Sequence, residues 1–394
     1  MKPRTLFFWI HLSLGMALGL AGALMAGTAV IMAFADSFLD VRDYRVRRVD
    51  PPANAKPQSL EALAARVNAK HPGTAVHRVG FGRDPNHACE FYYDKDGLEY
   101  VDRYSGELRL SDSVPLRRSL HKGVEQWHRF FGMAGDRRAT GQFLASWFNA
   151  ALIPLFLTGL VLWWPRHLRW RAVRAALTPA GNERGLGSER SWHSAIGFWT
   201  LPFLLIMVAT GTSHSFKWVQ DMGYRLTGNP AVKLERSDSL WAPGLPPRPI
   251  PANTSLLKLD ELLDIANREL PSWTHLDIFP APPPQPGNRT DSARLLAKAP
   301  GWGPSFFPVV VQVDPYSGGI LDVHSWADLS AGTRLLAWSR WLHKGEAFGR
   351  FGQIVAGLAC LLMLVLIYSG WALAIRRLVR SRKKGGPKTE QALS

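Results

Sequence analysis

The stretch at residues 191–216, SWHSAIGFWTLPFLLIMVATGTSHSF, decides how this chain is read. It has no Lys, Arg, Asp or Glu over 26 residues, enough to cross a bilayer as a helix. It also carries a histidine near each end, His193 and His214. At 1.5 Å per residue the two stand roughly 31 Å apart, close to the thickness of the hydrocarbon core. An imidazole is costly in lipid, so an intramembrane histidine points to function.

Three more charge-free runs flank this one, giving candidate transmembrane helices at 6–35, 142–165, 191–216 and 353–375. The first ends in Ala33-Phe34-Ala35, which resembles a signal-peptidase site. A secretion signal has an apolar core of only about 7–15 residues, however, and does not need His11. The run is therefore expected to remain as a span. Gly15, Gly19 and Gly22 lie on the His11 face and admit a second helix or a flat cofactor.

The formal net charge is +16, and its placement matters more than its size. Residues 1–5, the loop at 166–190 and the tail at 376–394 hold fifteen basic and three acidic residues. That is a positive-inside pattern, with both termini cytoplasmic. It speaks for a lipid bilayer and against nucleic acid. Cys89 and Cys360 are the only cysteines, and neither CxxCH nor CxxC occurs. Covalent haem attachment, iron–sulfur clusters and thiolate zinc sites are thereby excluded.

The expected fold class is an α-helical membrane protein with two periplasmic α+β domains and an internal parallel repeat. The first domain, 37–125, reads as a helix at 59–70 followed by strands at 75–81, 89–93 and 98–104. The second, 217–340, reads as a helix at 259–270 and strands at 274–279, 293–298 and 309–314.

The two halves match in order. His11-xxx-Gly15 corresponds to His193-xxx-Gly197, and Val101-Asp102-Arg103-Tyr104-Ser105-Gly106 to Val313-Asp314-Pro315-Tyr316-Ser317-Gly318. Gly141-Gln142 corresponds to Gly352-Gln353, with Gly159 or Gly370 following 18 residues after each glycine. Both halves enter from the cytoplasm, so the pseudo-two-fold axis is expected along the membrane normal.

The repeat pairs His11 with His193 near the cytoplasmic face. At the other face His343 has two candidate partners. His121 shares the local pattern Arg-x-Leu-His-Lys-Gly with His343, whereas His128 needs a smaller gap before Gly141. The spacing favours His128. His214 has Met32 at the matching position of the first span, so it stands outside the pairing, as a substitute ligand or a polar group beside the outer site. Two neutral imidazoles on facing helices suit the axial positions of a b-type haem. Zinc or copper would want a third and fourth ligand, and the spans contain no carboxylate.

Several short motifs resemble the PepSY-associated transmembrane proteins of bacterial iron uptake. These are Ile10-His11-Leu12-Ser13-Leu14-Gly15, Trp192-His193-Ser194-Ala195-Ile196-Gly197, the paired Val-Asp-x-Tyr-Ser-Gly turns, Trp127-His128-Arg129, Leu342-His343-Lys344, and the span endings Leu157-Thr158-Gly159-Leu160 and Tyr368-Ser369-Gly370-Trp371. The chain is most similar to ferric-siderophore reductases of the ferrioxamine type. That resemblance implies an oxidoreductase with two b-type haems, reducing a ferric siderophore in the periplasm with electrons from quinol or a cytoplasmic reductase. It departs from the pattern in the longer 128–141 segment and in the extra His121 and His214. Trp302, Phe306, Phe307 and Trp326 are candidate docking groups for the chelate, or else packing residues. The competing readings are a PepSY-domain regulator or peptide-binding membrane protein without redox activity, and a siderophore transporter.

Overall fold

The computed structural model describes residues 3–94, 97–111, 113–165, 169–179, 186–230, 245–246, 248–251, 254–282, 289–301 and 303–384. Its helices are α1 (Pro3–Arg42), α2 (Tyr44–Arg47), α3 (Leu60–Lys70), α4 (Ser113–Phe130), α5 (Arg138–Trp163), α6 (Trp170–Leu177), α7 (Leu186–Ser215), α8 (Lys217–Leu226), α9 (Leu259–Glu269), α10 (Ala331–His343) and α11 (Gly349–Lys384). Of these, α1, α5, α7 and α11 are long and apolar enough to cross a membrane.

In lipid a backbone must satisfy its own polar groups, which a helix does throughout. Side-chain hydroxyls follow the same rule. Thr28 donates to the Leu24 carbonyl, Thr158 to Pro154 and Thr212 to Val208, each at 2.8 Å. Helices α5 and α7 run unbroken through Pro154 and Pro202. The four long helices pack in the cyclic order α1–α11–α7–α5, which leaves α1 and α7 on one diagonal. Gly19 and Gly22 make the α1–α11 contact close. A Cβ on Gly19 would collide with the Trp371 indole, and one on Gly22 would lie 3.3 Å from Ile367. These glycines therefore admit a helix. Asn149 ties α5 to α7 by donating to the Val208 carbonyl and the Thr212 hydroxyl, both at 2.9 Å. Leu20, Phe143, Phe203 and Tyr368 are exposed on the outer surface, as lipid-facing residues are.

The strands are β1 (Val76–Gly82), β2 (Cys89–Tyr93), β3 (Gly97–Val101), β4 (Leu108–Arg109), β5 (Arg248–Pro249), β6 (His275–Phe279), β7 (Arg289–Thr290), β8 (Ala293–Lys298), β9 (Val309–Val313) and β10 (Ile320–His324). β5 and β7 form a separate ribbon. The other eight make one antiparallel sheet in the order β10-β9-β8-β6-β1-β2-β3-β4. The two segments read above as separate domains are joined by the β1–β6 pair, with Val79 opposite Ile278 and Phe81 opposite Leu276. A single core follows. Val79, Phe91, Leu276, Ile278, Leu295 and Val311 are fully buried beneath Leu63, Val67, Leu262 and Ala266 of α3 and α9.

The starts of α3 and α9 are capped reciprocally. The Asp260 carboxylate accepts from the Leu60 N–H at 2.8 Å and from the Ser59 hydroxyl at 2.7 Å. The Glu61 carboxylate accepts from the Leu259 N–H at 3.0 Å. A carboxylate at a helix N-terminus meets both the free N–H groups and the positive end of the dipole.

Charged residues fasten this sheet to the bundle. At the end of α1, Asp36 and Asp40 take Arg117 of α4 at 2.6 and 3.0 Å, and Asp40 also takes Arg47, which reaches Glu90 on β2. At the opposite, arginine-rich end the indoles of Trp163 and Trp199 donate to the Ala176 and Leu177 carbonyls of α6.

Replacing Asp260 with alanine should lower stability by about 1 kcal/mol, the usual worth of a helix cap. Amide exchange should accelerate at Leu60 and Glu61. Unchanged exchange there would mean that Ser59 alone caps α3.

Candidate functional site

Two pairs of histidines face each other inside the bundle. His11 on α1 and His193 on α7 meet across the diagonal, with ring centroids 6.4 Å apart and planes at 79°. His128 on α4 and His343 on α10 meet near the sheet end, also at 6.4 Å and at 56°. Thr28, bonded to His128, lies seventeen residues after His11, so the pairs stand about 25 Å apart along α1.

Each imidazole is held through Nδ1. His11 Nδ1 donates to the Leu155 carbonyl at 3.0 Å and lies 3.2 Å from the Thr158 hydroxyl. His343 Nδ1 donates to the Met207 carbonyl at 2.8 Å and lies 3.3 Å from the Thr210 hydroxyl. A carbonyl can only accept, so in these two rings Nδ1 carries the proton. His193 Nδ1 bonds the Ser369 hydroxyl and His128 Nδ1 the Thr28 hydroxyl, both at 2.9 Å. Those hydroxyls already donate to backbone carbonyls, Ser369 to Leu366 and Thr28 to Leu24 and Met25, and so accept from the rings. All four Nε2 atoms are left with a free lone pair, the form in which histidine binds a metal.

Glycines back the inner rings. A Cβ on Gly159 would lie 3.1 Å from His11 Cε1, and one on Gly370 would lie 3.2 Å from His193 Cε1. At the outer pair a Cβ on Gly211 would lie 2.9 Å from His343 Cε1. Gly15 and Gly197, one turn beyond the inner histidines, meet only Leu155 and Leu366 at ordinary distances.

This arrangement fits a haem. Two imidazoles on opposite sides of one metal, each at about 2 Å, have ring centroids roughly 6 Å apart. Among the described residues no three His, Cys, Asp or Glu side chains converge as an ion site would require. Two ligands suffice where a macrocycle supplies the other four.

The two second-rank histidines separate. His121 turns away from His343 and bonds Asp36 at 2.9 Å, beside Arg117. That hydrogen bond raises the His121 pKa. His214 stays close, with its ring 6.0 Å from that of His343, so His343 has an imidazole neighbour on α4 and another on α7. The aromatic docking candidates pack instead. Phe306 and Phe307 are 4% and 5% exposed, in a cluster with Trp326, Trp338 and Trp341. Trp302 lies outside the described residues.

The profile of the PepSY-associated TM region matches residues 8–377. The chain belongs to that family. No curated protein matches it. The match takes in both halves of this PepSY-associated protein, and with them all four paired histidines.

Sequence reasoning did not assign the hydroxyls. Thr158-Gly159 and Ser369-Gly370 stand at equal positions in α5 and α11, and Thr28 and Thr210 each follow the inner histidine of their half by seventeen residues. That equal spacing was the available signal. The carbonyls of Leu155 and Met207 leave no trace in side-chain identity.

Two outcomes are expected. Gly159→Val should push the His11 ring from its seat and disturb the inner pair alone, seen by NMR as shifted His11 and His193 signals with those of His128 and His343 unchanged. Protonated His121 is favoured in the folded state, so its contribution is present below pH about 6.5 and lost as pH rises through its raised pKa. The difference in melting temperature between wild type and His121→Gln should shrink from pH 5.5 to 9, by an amount worth under about 1 kcal/mol for so exposed a pair.

Proposed function

We propose that this protein carries electrons across a bacterial inner membrane through two b-type haems and reduces ferric siderophores on the periplasmic side. The observation that carries the reading is the pair of facing imidazole sets, each anchored at Nδ1 and open at Nε2. His11 and His193 would hold the inner haem, and His128 and His343 the outer one. Haem, when bound, supplies one-electron chemistry without proton transfer to the protein.

The chain's own residues do the positioning. The Leu155 and Met207 carbonyls and the Ser369 and Thr28 hydroxyls fix ring orientation and tautomer, and their hydrogen bonds raise ligand basicity. Gly159 and Gly370 let the Cε1 edges of the inner rings come close to α5 and α11. The apolar packing of Leu152, Leu204, Val208 and Met363 keeps water from the bundle interior. His214, with its ring 6.0 Å from that of His343, is the alternative partner at the outer site.

A parallel repeat accounts for the matched geometry. The hydroxyl partners recur at equal spacing, and α3 and α9 cap one another reciprocally. The positive-inside distribution supports a cytoplasmic arginine-rich end and a periplasmic sheet. The substrate class follows from ligand chemistry. Siderophores bind Fe(III) through hard oxygen donors, and reduction to Fe(II) weakens that hold without breaking the chelator. A transporter reading would lean on interrupted helices at mid-membrane, and α5 and α7 are continuous. A regulator would have no use for four equivalently anchored imidazoles.

The purified protein, expressed with ample haem, should show a Soret band and two haems per chain. His193→Ala and His343→Ala should each lose one. Dithionite-reduced protein should reoxidise when mixed with ferrioxamine. A colourless wild type would overturn the haem assignment, and a reduced protein inert to ferric chelates would overturn the substrate.

A further inference from the structure

A cavity of about 620 Å³ lies at the arginine-rich end of the bundle, on the seam between α1 and α5. Arg4 and Phe7 line one side, and Leu160, Val161, Trp164 and Pro165 the other. None of its lining residues belongs to α7 or α11, so it is separate from the space between His11 and His193. It is nevertheless one helical turn away. Phe7 precedes His11 by four residues, and Leu160 follows Gly159, whose Cα carries no side chain against the His11 ring.

Among the described residues the lining is apolar except for one cation, Arg4. Arg4 donates to the Leu162 carbonyl at 2.5 Å, and among the described residues no carboxylate pairs with it. A guanidinium has five N–H donors, so Arg4 retains capacity toward a ligand oxygen. Phe7 and Trp164 offer flat faces. Val161 and Trp164 are 40% and 54% exposed on the outer surface, so the mouth opens where lipid chains run. Volume and composition match those of small-molecule sites, which are mostly apolar with a few placed polar groups.

The two halves differ here. Trp371, which follows Gly370 as Leu160 follows Gly159, turns into the α1–α11 seam, lying against Gly19 and donating to the Gly15 carbonyl at 3.2 Å. Leu160 faces the α1–α5 seam instead.

We propose that this cavity binds the ring of a lipid-soluble quinol that reduces the inner haem, an inference that rests on the electron-transfer reading above. Phe7 and Trp164 flank the ring, Arg4 donates to a ring oxygen, and the isoprenoid tail leaves through the mouth into the bilayer. On oxidation both O–H bonds break and the ring becomes a quinone. Two protons pass to water at the arginine-rich end. The two electrons would pass singly to the haems that the two histidine pairs would hold, and two Fe(III) chelates would become Fe(II).

The test uses the full chain in lipid nanodiscs with an azido-substituted decyl-ubiquinone as photolabel and decyl-ubiquinol as reductant. Label is expected on residues 3–7 and 160–165, and Leu160→Trp, which puts an indole into the cavity, should lose it. Quinol should reduce wild-type haem at least tenfold faster than Leu160→Trp haem, with Arg4→Gln slowed several-fold, while dithionite reduces all three equally. Arg4→Gln serves if Leu160→Trp does not fold. Haem-loaded protein that takes no label there, or variants reduced by quinol at the wild-type rate, would overturn the quinol site and leave the electron-transfer reading standing. Colourless protein that still takes the label would do the reverse.

Discussion

An imidazole inside a membrane bundle must have its N–H satisfied by the protein, because no water is present to do so. Much of the interior is arranged around that requirement. Each of the four paired rings finds its acceptor on a neighbouring long helix: His11 on α5, His193 on α11, His128 on α1 and His343 on α7. Once Nδ1 is committed, the tautomer is set and Nε2 keeps its lone pair. The facing pairs are therefore a consequence of helix packing as much as of ligand placement. Moving any one helix would unseat a ring that belongs to another.

The sheet imposes the second constraint. A four-helix bundle with two separate domains on top would let its halves slide. Here β1 and β6 pair edge to edge, and α3 and α9 exchange carboxylate caps, so the halves are fastened to each other at the sheet end. The clasp of Asp36, Asp40, Arg117 and Arg47 then fixes that sheet to α1. α4 is held at both ends by this arrangement, by Arg117 near its start and by His128 near its finish. This is why His121, between them, faces Asp36 rather than His343.

Most individual elements were legible in the chain. Charge-free runs longer than 20 residues have one physical outcome, and the strands at 89–93 and 293–298 read true to the residue because period-2 burial leaves a direct mark on composition. The aromatic residues were harder. Phe306, Phe307 and Trp326 carry the composition of a docking surface, yet a Trp or Phe looks the same in sequence whether it is exposed or packed. Their burial against Trp338 and Trp341 depends on where α10 lies.

The sequence by itself determined the four spans, their charge asymmetry and the pairing of His11 with His193, because hydropathy, arginine counts and equal spacing are properties of one chain read in order. Only the tertiary structure decided between His128 and His121, joined the two soluble segments into one sheet, and supplied the carbonyls and hydroxyls that anchor each ring. Those outcomes rest on contacts between residues as much as 215 positions apart, as His128 and His343 are. A local motif such as Arg-x-Leu-His-Lys-Gly cannot report them, since it records what a residue is and not which helix it will meet.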